Sequence, residues 1–231
     1  MRAFRIETPG ESPRLVQIAT PDPGPGEVAI KISACGLNFA DLLMIEGTYQ
    51  DTPAPPFTLG MEVAGVVTAL GEGVTAPAIG TRVAVFGGQG GLAEQGVFDA
   101  ARCVTIPDAM PFENAAGFLV AYGTSHLALT HRARLKAGER LLVLGAAGGV
   151  GLTAVELGAA MGAEVIAVAR GADKLAVPQK AGAAHLIDSD ADDLRDRVRA
   201  LGGADVVYDA VGGNAFAAAL RATNPEGRIL T

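Results

Sequence analysis

The segment ERLLVLGAAGGVG (139–151) constrains this chain more than any other. A short apolar run, Leu141 to Leu144, feeds directly into a glycine-rich turn. Residues 151–162 then read as a helix of small apolar residues, and AEVIAVAR (163–170) as a second buried strand. The alternation continues through a helix at 173–181, a strand at HLID (185–188) and a charged amphipathic helix at 191–201. A fourth strand at ADVVYDAVGG (204–213), a helix at 214–222 and a fifth strand opening at GRILT (227–231) complete it. Strands and helices alternating at this spacing build βαβ units on a parallel sheet, with right-handed crossovers.

The first half follows a different pattern. EVAIKISACG (27–36) alternates apolar and polar residues, while MEVAGVVTALG (61–71) and GTRVAVFG (80–87) are short apolar strands closed by glycine. Strand, glycine turn and strand again predict an irregular β barrel or sandwich. The change of period falls in a helix starting near Tyr122, so the expected domains are 1–121, β-rich, and 122–231, doubly wound α/β.

Composition narrows the function. At 49% hydrophobic and 19% charged the chain is globular, and its net charge of −7 argues against a nucleic-acid surface. The two cysteines, Cys35 and Cys103, cannot make a disulfide framework and point to a reducing, cytoplasmic setting. The N-terminus lacks the apolar core of a signal peptide, and no apolar stretch reaches membrane length. His126, His131 and His185 have no spacing that suggests a site.

AAGGVG (146–151) is an A-x-G-x-x-G pattern between a strand and a helix, the setting of a dinucleotide turn. Here Ala147, Gly148, Gly149, Val150 and Gly151 are the expected phosphate-cradling residues. Gly148 lets the backbone approach a pyrophosphate, and Gly151 lets the helix pack against the sheet. The helix N-terminus offers N–H groups and a positive dipole end. At the end of the second strand, where an acidic residue would hold a ribose 2′-hydroxyl, the chain has Ala169 and Arg170, with Lys174 one helical turn on. Two cations there fit a 2′-phosphate, so NADPH is the expected cofactor; the alternative is a pair of solvated surface charges. Asp173 is expected to start the next helix.

ACGLNFADLL (34–43), TLGMEVAGVVTALGEGVT (58–75), the glycine turn and DVVYDAVGG (205–213) together resemble the medium-chain dehydrogenase/reductase superfamily. The nearest pattern is its quinone oxidoreductase, zeta-crystallin-like branch. The resemblance covers essentially the whole chain. It implies a GroES-like catalytic domain, then a Rossmann domain, with the active site in the cleft between them. The zinc alcohol dehydrogenases carry a cysteine and a histidine where this chain has Asn38 and Phe39. In place of their G-H-E string it has Gly60, Met61 and Glu62. The four-cysteine lobe of structural zinc is missing, so no metal is expected.

Without a Lewis acid, hydride transfer suits acceptors that are already electron-poor, namely quinones and enones. By resemblance Asn38 and Asp41 line the nicotinamide end. There Asn38 would bond the acceptor or the ribose, and Asp41 would serve either the site or a turn. Tyr49 matches a cleft tyrosine able to donate a proton, or it is an amphipathic loop residue. Thr124 matches a nicotinamide-contacting position at a helix start, or it is an N-cap. Ser189 approaches the adenosine phosphate by family position. Two alternatives stay open: an enoyl-thioester reductase with Tyr49 as proton donor, and a non-catalytic NADPH-binding protein. Relatives continue for about another half-domain, so the chain is read as truncated in the fifth strand. The full-length protein is expected to be a homodimer that binds a small molecule, with no nucleic-acid or membrane partner.

Overall fold

Antiparallel strands need only tight turns between them, and the glycine- and proline-rich first half supplies those turns. The computed structural model describes residues 1–8 and 10–231. The chain folds as two units, Met1–Val120 and Ala121–Thr231.

In the first unit β1 (Arg2–Ile6) pairs antiparallel with β2 (Arg14–Gln17) and with β4 (Phe57–Thr58). A five-stranded antiparallel sheet contains β3 (Glu27–Gly36), β5 (Glu62–Leu70), β6 (Arg82–Phe86), β7 (Gln95–Asp99) and β8 (Cys103–Thr105). Its order is β7-β3-β5-β6-β8. The alternation read from the sequence is visible in β3, where Val28 and Ile30 are buried and Lys31 is exposed. They pack with Val63, Val67, Val83 and Val85 into one core. Each such side chain contributes roughly 1.5–3 kcal/mol. The β3–β5 register shifts at Ala29/Ile30 and again at Ile32/Ala34, irregularities that bend a sheet. Helix α1 (Phe39–Glu46) follows β3 and ends at Gly47, whose φ of 69° is the left-handed cap that glycine adopts without strain. The unit closes with α2 (Phe112–Ala116).

The second unit is the parallel sheet that the alternation predicts. Its strands are β9 (Arg140–Leu144), β10 (Glu164–Ala169), β11 (His185–Asp188), β12 (Ala204–Asp209) and β13 (Thr223–Leu230). Their order is β11-β10-β9-β12-β13. Helix α3 (Leu119–His126) enters the unit, α4 (Gly149–Ala160) and α5 (Ala172–Lys180) follow β9 and β10, and α6 (Leu194–Ala200) and α7 (Gly213–Ala222) follow β11 and β12. Successive residues of β9 serve opposite faces. Leu141 and Val143 pack under Ala154 and Val155 of α4. Leu142 and Leu144 pack against Val198 of α6 and Ala219 of α7. The chain leaves β9 toward one edge, then returns to its other side at β12. That reversal opens a crevice at the carboxyl ends of the strands.

Several boundaries differ from the sequence expectations. The expected helix near Tyr122 begins at Leu119 and continues as a π-helical segment, Leu127–Arg132. The helix expected from 191 starts at Leu194, because Asp193 caps it by accepting the N–H of Asp196 at 2.9 Å. Helix α4 starts two residues early, inside the glycine turn. The fifth strand begins at Thr223 rather than 227. A register shift opposite Ala204/Val206, with Glu226 at φ 63°, carries the strand past Pro225, which periodicity alone reads as a loop.

Candidate functional site

The turn after β9 is built by glycine geometry. Gly145 takes φ 70° and accepts the N–H of Gly148 at 2.9 Å. Gly148 caps α4 in extended conformation. The N–H groups of Gly149, Val150 and Gly151 form the first turn of α4, where a helix has no internal acceptors to offer them. A Cβ on Gly151 would sit 2.2 Å from the carbonyl oxygen of Gly145. Gly145 directly follows β9, so the missing side chain at Gly151 lets the first turn of α4 approach the end of that strand, as the sequence reading expects. A Cβ on Gly149 would meet nothing within 4 Å.

Above this turn lies a cavity of about 640 Å³. It is lined by Ala147, Gly148, Gly149, Val150 and Gly151, and by Arg170, Lys174 and Ser189. Ala210, Val211 and Ala215 form the opposite wall, held by Asp209, whose Oδ1 accepts the N–H groups of Val211 and Gly212 at 2.8 Å. Arg170 and Lys174 stand together at the end of β10, and the Arg170 side chain is exposed, 3.7 Å from Asp190. Asp173 occupies the first turn of α5 and does not line the cavity. The dimensions, the free N–H groups and the two cations suit a nucleotide with a phosphate at each end of its ribose.

Thr124 does not join this cavity. It is exposed, the sixth residue of α3, so the N-cap alternative is overturned. Its neighbour Ser125 is fully buried. The Ser125 hydroxyl lies 2.8 Å from the carbonyl of Val150, 2.8 Å from Thr153 Oγ1 and 3.2 Å from the Tyr208 hydroxyl. Thr153 in turn donates to the carbonyl of Ala121 at 3.1 Å or of Val150 at 3.0 Å. Three hydroxyls thus join α3, the first turn of α4 and β12.

In the first unit Asn38 precedes α1 as its N-cap. Its Nδ2 donates to Glu62 Oε1 at 3.0 Å. This leaves the second N–H of the Asn38 amide for a ligand. Glu62 is 2% exposed, and its Oε2 accepts the N–H of Val120 at 2.9 Å. Burial pushes its carboxyl above the usual range, against the pull of those donors. Asp41 is buried and commits both oxygens to backbone, to the N–H of Asn38 at 2.8 Å and of Gly60 at 3.1 Å. Of its two expected roles, this geometry serves the turn. Tyr49 lies beyond Gly47 and packs half-buried against Ile6, Met44 and Phe57.

The donor set does not fit zinc. Met61 is buried in that same apolar cluster and the Asn38 amide is engaged by Glu62. The Cys35 thiol is pushed up to about 12, by burial first and then by Asp41 and Glu62, so it stays protonated. Among the described residues no three His, Cys, Asp or Glu side chains group as metal ligands. None of the described helices is long and apolar enough to cross a membrane.

Sequence reasoning named Glu62 only as the end of the string that stands in place of G-H-E, and it missed Ser125 and Asp209. Only Asp209 left a signal, an Asp three residues before glycine at a strand end, which is an Asx-turn pattern.

A β-rich unit followed by a doubly wound unit with a glycine turn at its switch point is the architecture of the medium-chain dehydrogenases and reductases. Residues 24–108 match the alcohol dehydrogenase GroES-like domain, and residues 149–231 the zinc-binding dehydrogenase model. The quinone oxidoreductase of Thermus thermophilus, solved also in complex with NADPH, is 37% identical, and the match covers 99% of this chain and 72% of that one, with a TM-score of 0.89. The quinone oxidoreductase-like protein 2 homolog of Nematostella vectensis is 37% identical over 93% of this chain and 60% of its own. The human synaptic vesicle membrane protein VAT-1 homolog is 38% identical over 92% of this chain and 55% of its own. The chain therefore belongs to the medium-chain dehydrogenase/reductase family, in its quinone oxidoreductase branch. It spans between half and two thirds of the length of these two curated relatives.

Proposed function

We propose that the second unit binds NADPH and that the protein reduces quinones or other electron-poor enones without a metal. The observation that carries this reading is the cavity where the glycine turn meets Arg170 and Lys174. The N–H groups of Gly149, Val150 and Gly151, at the positive end of α4, hold the pyrophosphate. Arg170 and Lys174 bind the 2′-phosphate, with Ser189 beside them. When bound, NADPH supplies the hydride. Asn38, its amide fixed by Glu62, offers its second N–H to the acceptor oxygen. Thr124 contacts the carboxamide, and Tyr49 stands as a proton donor. Asp41 acts through Asn38 by holding its backbone. Residues 1–121 form the catalytic domain and 122–231 the nucleotide domain.

A relative of similar identity, the human VAT-1 homolog, does not carry the name of an oxidoreductase, so a second reading stands beside the first, a nucleotide-binding protein without turnover. NADPH and NADH are to be titrated against wild type and Arg170→Ala/Lys174→Ala, followed by NADPH oxidation with a quinone or a crotonyl thioester. NADPH should bind at least about tenfold more tightly than NADH, the worth of one charge-assisted hydrogen bond, and the double variant should lose that margin. Equal affinities in wild type would refute the phosphate assignment. Binding without quinone or thioester turnover would favour the second reading.

A further inference from the structure

The loops after β10 and β11 are tied by a carboxylate that phosphate binding does not itself require. Asp188 is the last residue of β11. Its Oδ1 accepts the N–H of Gly171 at 2.9 Å and of Asp190 at 3.0 Å. Gly171 follows Arg170 and caps α5, while Asp190 follows Ser189. One oxygen atom therefore clips together the two loops that carry the proposed phosphate ligands. The Ser189 N–H adds a bond to the carbonyl of Ala169 at 3.1 Å. Asp192 closes the second loop by accepting the N–H of Asp188 at 3.0 Å, and Arg197 pairs with Asp192 at 3.2 Å.

Three carboxylates beside a phosphate site are electrostatically costly unless each is answered. Two backbone donors answer Asp188 and hold its carboxyl below the usual range. Arg197 answers Asp192. The ion-pair partner of Asp190 is Arg170 itself, at 3.7 Å. A 2′-phosphate arriving at Arg170 would compete with Asp190 for the guanidinium, and a 2′-hydroxyl would not.

We propose that Asp188 and Asp190 determine nucleotide selectivity. Asp188 is the positioning residue that keeps the Arg170 and Ser189 loops in register. Asp190 is a resident counter-ion with which a 2′-phosphate competes. The proposal rests on the NADPH reading, and its test separates the two.

Dissociation constants for NADPH and NADH are to be measured for the full chain as wild type, Arg170→Ala, Asp188→Ala, Asp188→Asn and Asp190→Asn, each checked for a native melting transition. Asp188→Ala should cut the NADPH-over-NADH preference about tenfold, as the phosphate loses its best-placed cation. Asp188→Asn should retain the preference, because the amide oxygen can accept the same two N–H groups. Asp190→Asn should tighten NADPH about threefold and leave NADH unchanged, the scale of an exposed ion pair. Equal weakening of both nucleotides by Asp188→Ala, or no rescue by Asp188→Asn, would overturn the role of Asp188. Unchanged NADPH affinity in Asp190→Asn would overturn that of Asp190. A preference that Arg170→Ala abolishes and the Asp188 and Asp190 variants leave intact would sink this proposal alone. A wild type without preference would sink both it and the NADPH reading.

Discussion

Gly151→Ala is the most direct perturbation of the nucleotide turn. The added methyl would meet the Gly145 carbonyl oxygen at 2.2 Å, its carbon at 2.8 Å and the Cα of Ala146 at 3.1 Å. A relaxed carbon–oxygen contact is about 3.3 Å, so the turn and α4 must part by roughly 1 Å. All three obstacles are backbone, and no side chain can swing away. The Gly145 carbonyl also accepts the Gly148 N–H, so the movement breaks the bond that shapes the turn. Overpacking of this kind costs about 2 kcal/mol, which lowers the melting midpoint by several degrees. Loss of aim by one N–H should weaken NADPH about tenfold or more. Gly149→Ala is the paired control, since its methyl meets no protein atom within 4 Å. That variant should melt at or above the wild-type temperature, because alanine favours a helix over glycine by up to about 1 kcal/mol. Thermal melts and fluorescence titration with NADPH read both effects. A Gly151→Ala variant that melts and binds like wild type would refute the argument from close approach.

Two further outcomes are expected. Burial raises the Glu62 carboxyl above its ordinary range, so its contribution to stability is full below that range and is lost as pH rises through the raised value. The melting-temperature difference between wild type and Glu62→Gln should therefore shift against wild type as pH rises above about 4, the ordinary carboxylate value, and a flat difference would contradict it. Ser125→Ala should cost about 1–3 kcal/mol, because it strips the buried Tyr208 hydroxyl of its partner. Adding Tyr208→Phe should recover part of that loss in a double-mutant cycle, whereas strictly additive losses would show the hydroxyls to be independent.

The second unit was legible because its strands are buried on both faces and punctuated by glycine. Periodicity located all five strands, and the glycine turn located the cavity. The limits lay where one local bond decides. Asp193 capping sets the start of α6, and a bulge at Glu226 starts β13 early. The first unit was legible as β structure, but its two sheets depend on long-range pairings such as β1 with β4, which no window of sequence contains. Arg170 and Lys174 declared themselves by standing where an acid would otherwise be. Glu62 and Ser125 act through partners far away in sequence, and Asp188 reaches across to the N–H of Gly171, 17 residues before it. Their chemistry exists only after folding.

The walls of the nucleotide cavity come from four strand ends, running in sequence from Gly145 after β9 to Val211 and Ala215 after β12. Whatever fills it works as a removable cross-link. It ties together chain segments that would otherwise fray separately, and it adds RT ln(1 + [L]/Kd) to their cohesion. A ligand bound there would then lengthen the lifetime of the unit against proteolysis in proportion to the fraction of sites it fills.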